Sequence, residues 1–236
     1  EEGIHLLELI YFTAFAAVLM LTLRRAFDQR WGPAAAALLI VGFYWAITSD
    51  WHQTQPEGLV GFPMFIALWF ALEASHGGRG ALGRWMLAGF GAGVVGVFKL
   101  LLVALPGLFW LVLLGARLAD SRPGRGRDLG IAAAGLALGF AVPIGGMLAV
   151  LAAQGLLQDA WYTWVVVPAR VAAQLKGLPL HAWQETFHWF FARWSAVMAL
   201  ALIGAWTSLR GRQAMLARLL LVWLVAGLGL LLIQKF

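Results

Sequence analysis

Residues 85–116 read Trp-Met-Leu-Ala-Gly-Phe-Gly-Ala-Gly-Val-Val-Gly-Val-Phe-Lys-Leu-Leu-Leu-Val-Ala-Leu-Pro-Gly-Leu-Phe-Trp-Leu-Val-Leu-Leu-Gly-Ala, one apolar run broken only by Lys99 and Pro106. A helix that crosses a membrane takes about 20 mostly apolar residues. This run is too long for one comfortable span and suits two short helices that meet near Lys99–Gly107. The composition agrees with a chain that crosses a membrane repeatedly. Of 236 residues, 62% are hydrophobic and 12% are charged, with a mean hydropathy of +0.82. Soluble domains are roughly 45–50% apolar and about 25% charged.

Working outward, further spans are expected at 4–23, 33–48, 58–75, 129–153, 190–208 and 215–233. Pro33 suits the start of the second, because a first-turn proline loses no helical hydrogen bond. The 129–153 segment is rich in Gly and Ala, as membrane helices that pack closely tend to be. Residues 154–189 mix Gln154, Asp159, Arg170, Lys176, His181, Glu185 and His188 with Trp161, Tyr162, Trp164, Trp183 and Trp189. Amphipathic rings of this kind favour the headgroup level. The expected fold is therefore an all-α transmembrane helix bundle of about eight spans, with short interfacial helices at 154–189. It forms one transmembrane domain over 1–236.

Eight spans place the links alternately on two sides. One side receives twelve basic residues: Arg24, Arg25, Arg30, Arg79, Arg84, Arg117, Arg122, Arg125, Arg127, Arg210, Arg212 and Arg218. The other receives five: Lys99, Arg170, Lys176, Arg193 and Lys235. Cytoplasmic links carry the excess of Lys and Arg, so the first side is expected to be cytoplasmic. The net charge of +6 belongs to these links, which excludes a nucleic-acid surface from the expected partners. The absence of cysteine excludes a disulfide, a thiolate metal site and a cysteine nucleophile. Both termini read as cuts through a longer protein.

Three polar features then face outside together. The first is Asp50-Trp-His52-Gln-Thr-Gln55-Pro56-Glu57. Pro56 fits a first helical position, and Glu57 would lie in the first turn, where a negative charge favours the helix dipole. An ordinary solvated loop with a helix cap explains the cluster as well as a polar site at a membrane surface does. The second is Lys99. A lysine inside an apolar run costs a few kcal/mol at the centre of a membrane helix. Snorkelling at a helix end accounts for it, and so does anchoring a phosphate, which lysine binds as a point charge. The third is the 154–189 segment. His181, Glu185 and His188 share one helical face, which fits a polar face turned to water better than a metal site. Gly89, Gly91, Gly93 and Gly96 read as close-packing glycines. No phosphate-binding loop, nucleophile elbow or dinucleotide fingerprint is present.

The stretch His52-x-x-Gln55-x-Glu57, followed by an apolar helix, resembles that of bacterial family-39-like glycosyltransferases. These are related to protein mannosyltransferases and lipid A aminoarabinose transferases, of the GT-C fold. The glycine-rich Ala88–Lys99 segment is similar to their helix ending in Phe-Lys or Thr-Lys. Gln158–Pro168 resembles their outer-face segment, and Gln234-Lys235-Phe236 the start of a Gln-x-Lys-Phe stretch. The resemblance implies transfer of a sugar from a polyprenyl-phosphate-linked donor at the outer face of the bacterial inner membrane. Asp50, His52, Gln55, Glu57 and Lys99 would bind substrate. The catalytic carboxylate is expected upstream of Glu1. The only ligand implied is the lipid-linked sugar, and a divalent metal is left open as a cofactor. Two other readings stand beside this one. A multi-pass transporter or flippase should carry repeats and broken helices around a midplane site. A structural membrane subunit with His52, His181 or His188 as pigment or haem ligands should show a visible absorption spectrum.

Overall fold

A computed structural model of the chain describes residues 2–27, 31–47, 56–119, 124–174, 180–211 and 213–233, which are helical with short connections and no strand. The helices are α1 (Glu2–Ala26), α2 (Trp31–Ile47), α3 (Pro56–Leu59), α4 (Gly61–Ser75), α5 (Ala81–Phe98), α6 (Ala104–Ala119), α7 (Arg125–Ala153), α8 (Leu157–Trp161), α9 (Val167–Gln174), α10 (Leu180–Ser208) and α11 (Ala214–Ile233). A 3-10 turn, Leu100–Val103, precedes α6, and a π-helical turn, Tyr162–Val166, joins α8 to α9. Among the described residues, four helical stretches are long and apolar enough to cross a membrane: Gly3–Ala26, Ala81–Phe98, Leu100–Ala119 and Gly126–Ala153. Four shorter apolar helices lie at Trp31–Gly42, Gly61–Ser75, Trp194–Ser208 and Ala214–Leu230.

The run at 85–116 does break as its length requires, at Lys99. One expectation needs revising. The polar residues 181–189 do not form a separate interfacial helix before a span at 190. They are the first turns of α10, which is continuous over 29 residues. No Gly or Pro occurs between Leu180 and Ile203, so nothing in the sequence stops the helix at the polar-to-apolar change.

The chain divides into two compact units, 1–62 and 63–236. In the first, α1 and α2 pack together. The buried stripe of α1 is Glu8, Phe12, Phe15 and Leu19, at the spacing of one helical face. Residues 59–62 lie against that face. Phe15 stacks on Phe62 with ring centres 4.9 Å apart, and Tyr11 meets Phe62 edge-on at 5.4 Å. The Tyr11 hydroxyl donates to the Leu59 carbonyl, an acceptor left without a helical partner where α3 ends.

In the second unit, α4 is buried on most sides, through Met64, Phe65, Ala67, Leu68, Trp69, Ala71 and Leu72. Helix α5 packs most extensively on α7. The seam is made of glycine. Gly135 approaches Leu82 and Trp85, Gly139 approaches the Met86 carbonyl, Gly89 approaches the Leu136 carbonyl, and Gly93 lies under Phe140 and Pro143. These pairs advance together along both chains, so α5 and α7 run parallel. On another face of α5, Gly91 lies close to α4, where an added Cβ would come within 2.7 Å of the Pro63 carbonyl oxygen. Helix α11 packs against α6, with the Phe109 and Trp223 rings 5.8 Å apart.

The seam has a sharp signature. A methyl group at Gly139 would run into the backbone of Met86, whereas one at Gly145 meets nothing within 4 Å. Gly139→Ala should lower stability by about 1–3 kcal/mol through overpacking. Gly145→Ala should be neutral or stabilising by up to about 1 kcal/mol, since alanine suits a helix better than glycine. Unfolding of each variant in mixed micelles, followed by circular dichroism, measures both signs.

Candidate functional site

Lys99 sits where α5 ends. Its backbone is extended, with φ −159° and ψ 106°. Its N–H still closes the last turn on the Val95 carbonyl at 2.8 Å, and its own carbonyl accepts from Leu102 N–H at 3.0 Å. The side chain is half-buried. Beside it, Gly96 has no side chain, and Val103 and Ile144 close over the space. A cation here faces the negative end of the α5 dipole, which accounts for part of its favourable placement. Because α5 and α7 run parallel, their ends point the same way. Lys99 and the start of the 154–174 segment therefore lie at one end of this unit.

At that end α7 gives way to Gln154, a glycine turn at Gly155 with φ 71°, and then α8. The helical run through α8 and α9 carries exposed Trp161, Tyr162 and Trp164. Arg170 lies over the Tyr162 ring, 5.6 Å from its centre, and its Nη1 donates to the Tyr162 hydroxyl at 3.4 Å. The Tyr162–Val166 turn is π-helical, a geometry that frequently marks functional positions. Asp159, Glu185 and His188 are exposed.

The opposite end of the unit holds the arginines. Arg84 in α5 donates to the carbonyls of Glu73 (3.2 Å), Gly77 (3.2 Å) and Arg79 (2.8 Å). Arg117, in the last turn of α6, donates to the Ser75 carbonyl through Nε at 3.0 Å and Nη2 at 2.6 Å. Its Nη1 also pairs with Asp128 of α7 at 3.3 Å. One residue thus ties the ends of α4 and α6 to the start of α7. From Ala81 to Phe98, 18 residues, α5 is about 27 Å long. That is close to the ~30 Å thickness of a hydrocarbon core, so the arginine knot and Lys99 are about a bilayer's width apart.

Of the other expected substrate-binding residues, Asp50, His52 and Gln55 lie outside the described residues. Glu57 is described in its backbone alone, within α3, which begins at Pro56 as expected. The described residues hold no group of three His, Asp or Glu positioned for a metal ion. The apolar groove lined by Leu202, Ile203, Trp206, Leu209 and Leu221 brings no polar side chain to bear.

Sequence reading passed over one feature. Glu8, within the expected span 4–23, is buried at 3% exposure. Its Oε2 lies 3.2 Å from His5 Nδ1. The signal was an acid inside an apolar window.

No family model, curated protein or solved structure matches the chain.

The arginine knot separates two kinds of interaction. Arg117→Lys keeps the charge but cannot make the paired bonds to Ser75. It should cost about 1–2 kcal/mol, the value of one or two hydrogen bonds to a charged donor. Asp128 is 54% exposed, and Asp128→Asn should cost about 0.5 kcal/mol or less. Denaturation in detergent with and without 0.5 M salt (roughly, a Debye length near 4 Å) should show salt sensitivity for the Asp128 pair alone.

Proposed function

We propose that the chain is the membrane part of a glycosyltransferase that takes a sugar from a polyprenyl-phosphate donor at the outer face of a bacterial plasma membrane. The proposed topology has about eight spans in one membrane domain of GT-C type. The observation that carries the reading is Lys99: a half-buried cation at a helix break, at the end of its unit opposite Arg84 and Arg117. The resemblance of the 52–57 and 88–99 stretches to family-39-like enzymes supports it from the sequence.

In this reading an acceptor hydroxyl attacks the anomeric carbon of the donor sugar. The carbon–oxygen bond to phosphate breaks, and the lipid phosphate departs with an additional negative charge. The Lys99 ammonium, strongly hydrated when alone, gains most from an oxyanion partner. Contact that strengthens as the phosphate departs lowers the barrier and leaves ground-state binding little changed. Asp50, His52, Gln55 and Glu57 would hydrogen-bond the sugar and phosphate. The lipid tail stays in the bilayer throughout.

Lys99→Met retains length and packing and removes the charge. Turnover in the full-length protein should fall on the order of 100-fold, with donor binding changed far less. The assay is release of polyprenyl phosphate in liposomes, on protein whose elution profile matches wild type. Near-normal turnover would leave Lys99 as a helix-end residue only. The orientation has its own test, helped by the absence of native cysteine. An impermeant maleimide applied to intact cells should label Thr54→Cys and leave Ser121→Cys unlabelled; the reverse pattern inverts the topology.

A further inference from the structure

The hairpin of α10 and α11 carries an apolar groove of about 370 Å³ with a cation at one end. The two helices pack on each other and are joined by the short link 209–213, so they run antiparallel. Leu202, Ala205, Trp206 and Leu209 follow one helical face at i, i+3, i+4 and i+7, and Leu221 of α11 forms the facing wall. Leu209 keeps that register because its N–H still bonds to the Ala205 carbonyl at 2.9 Å. Ala205, the smallest side chain of the row, leaves the wall hollow. The groove is open to the surroundings: Leu202, Ile203 and Trp206 are 51%, 61% and 63% exposed. From Leu202 to Leu209 it runs about 10 Å along the helix.

The walls are apolar, and the charge stands where they reach the link. The Arg210 guanidinium carbon lies over the Trp206 ring, 5.1 Å from its centre, a favourable contact of cation and ring face. A guanidinium held in this way keeps its N–H donors at its edge, where they suit the oxygens of a phosphate in pairs. Arg218 precedes Leu221 by three residues, so it shares that side of α11 and lies nearer the link. It is exposed. Trp206 at the same end suits the headgroup level of a membrane.

The geometry points to a binding site for an anionic phospholipid, with one acyl chain in the groove and the phosphodiester at Arg210. The inference goes beyond sugar transfer and does not rest on it. In the proposed topology Arg210 and Arg218 are cytoplasmic, and the cytoplasmic leaflet presents anionic headgroups to basic pockets between membrane helices. Charge decides among the lipids there. A phosphatidylglycerol headgroup brings one net negative charge. Phosphatidylethanolamine brings an ammonium as well, which two arginines repel. A polyprenyl phosphate shares the phosphate chemistry, but the donor of the proposed reaction is used at the opposite face.

The full-length protein, stripped of lipid in detergent micelles, is titrated with phosphatidylglycerol or phosphatidylethanolamine, and bound lipid is counted by native mass spectrometry. Wild type should bind phosphatidylglycerol about fivefold tighter or more, the factor that one basic residue near a charged headgroup supplies. Arg210→Gln should abolish that preference. Arg25→Gln, which deletes a charge from α1, should keep it. Ala205→Phe fills the groove and leaves both arginines. It should weaken both lipids by about tenfold, the effect of withdrawing roughly two methylenes from apolar contact. The site is overturned by equal binding of the two lipids, by a preference that survives Arg210→Gln, or by one lost equally in Arg25→Gln. Wild-type affinity in Ala205→Phe overturns it too. Undecaprenyl phosphate that displaces phosphatidylglycerol at lower concentration would give the groove to a prenyl carrier and defeat the phospholipid assignment. Should Arg210→Gln fail to elute as folded protein, Arg210→Lys keeps the charge without the paired donors. A reduced preference in that variant supports the guanidinium contact, and an unchanged one overturns it.

Discussion

Helices surrounded by lipid gain little by hiding apolar surface from one another, because lipid tails are as apolar as leucine. What holds α5 to α7 is therefore contact itself, and contact is closest where side chains are absent. Gly89 and Gly93 on α5, with Gly135 and Gly139 on α7, let the two backbones meet. Once these helices are joined in parallel, α6 must run back between their ends. That return brings the end of α6 to the start of α7, where Arg117 can reach both Ser75 and Asp128. The same geometry sends Lys99 to the far end. The polarity of the unit, with Arg84 and Arg117 at one end and Lys99 at the other, follows from a seam that contains no charge.

The two basic ends use their charges differently. At the arginine end the guanidinium groups are spent on backbone carbonyls, which helix ends leave without partners. Planar, forked donors suit that task, and Arg84 and Arg117 each serve more than one carbonyl or carboxylate. Lys99 terminates α5 differently. Its cap is made by its backbone, through Val95 and Leu102.

Much of the fold could be read in advance because lipid imposes a length on every crossing. The break at Lys99, the start of α3 at Pro56 and the ends of α1, α4 and α11 followed from run length and punctuation. The join at 189–190 did not, because a change from polar to apolar residues is no helix stop: α10 runs through it without a Gly or Pro. The seam glycines were recognisable as a group, but which face each served was not. Glu8 was missed because one acid barely alters the average of an apolar window. Only burial separated it from a lipid-facing residue. For the polar stretch at 50–57, the described residues reach no further than the α3 backbone, so legibility there stops at Pro56 and Glu57.

Helix α7 extends well past its partner. Ile144 lies against Gly96 near the end of α5, yet α7 continues to Ala153, about 13 Å further at 1.5 Å per residue. Its final turns remain apolar and exposed, as at Leu148 and Val150. The apolar part of α7 from Leu129 is about 37 Å long, more than the ~30 Å core, and such a helix accommodates by tilting. Helix α5 is locked to it along the glycine seam and must lean with it, which draws the end of the shorter helix inward from the headgroups. The immersion depth of Lys99 is thus set by the length of a helix to which it does not belong. A thicker bilayer would stand α7 more upright, but its outer surface would recede faster than the end of the shorter α5 rises, making membrane thickness a control on how far that cation sits from water.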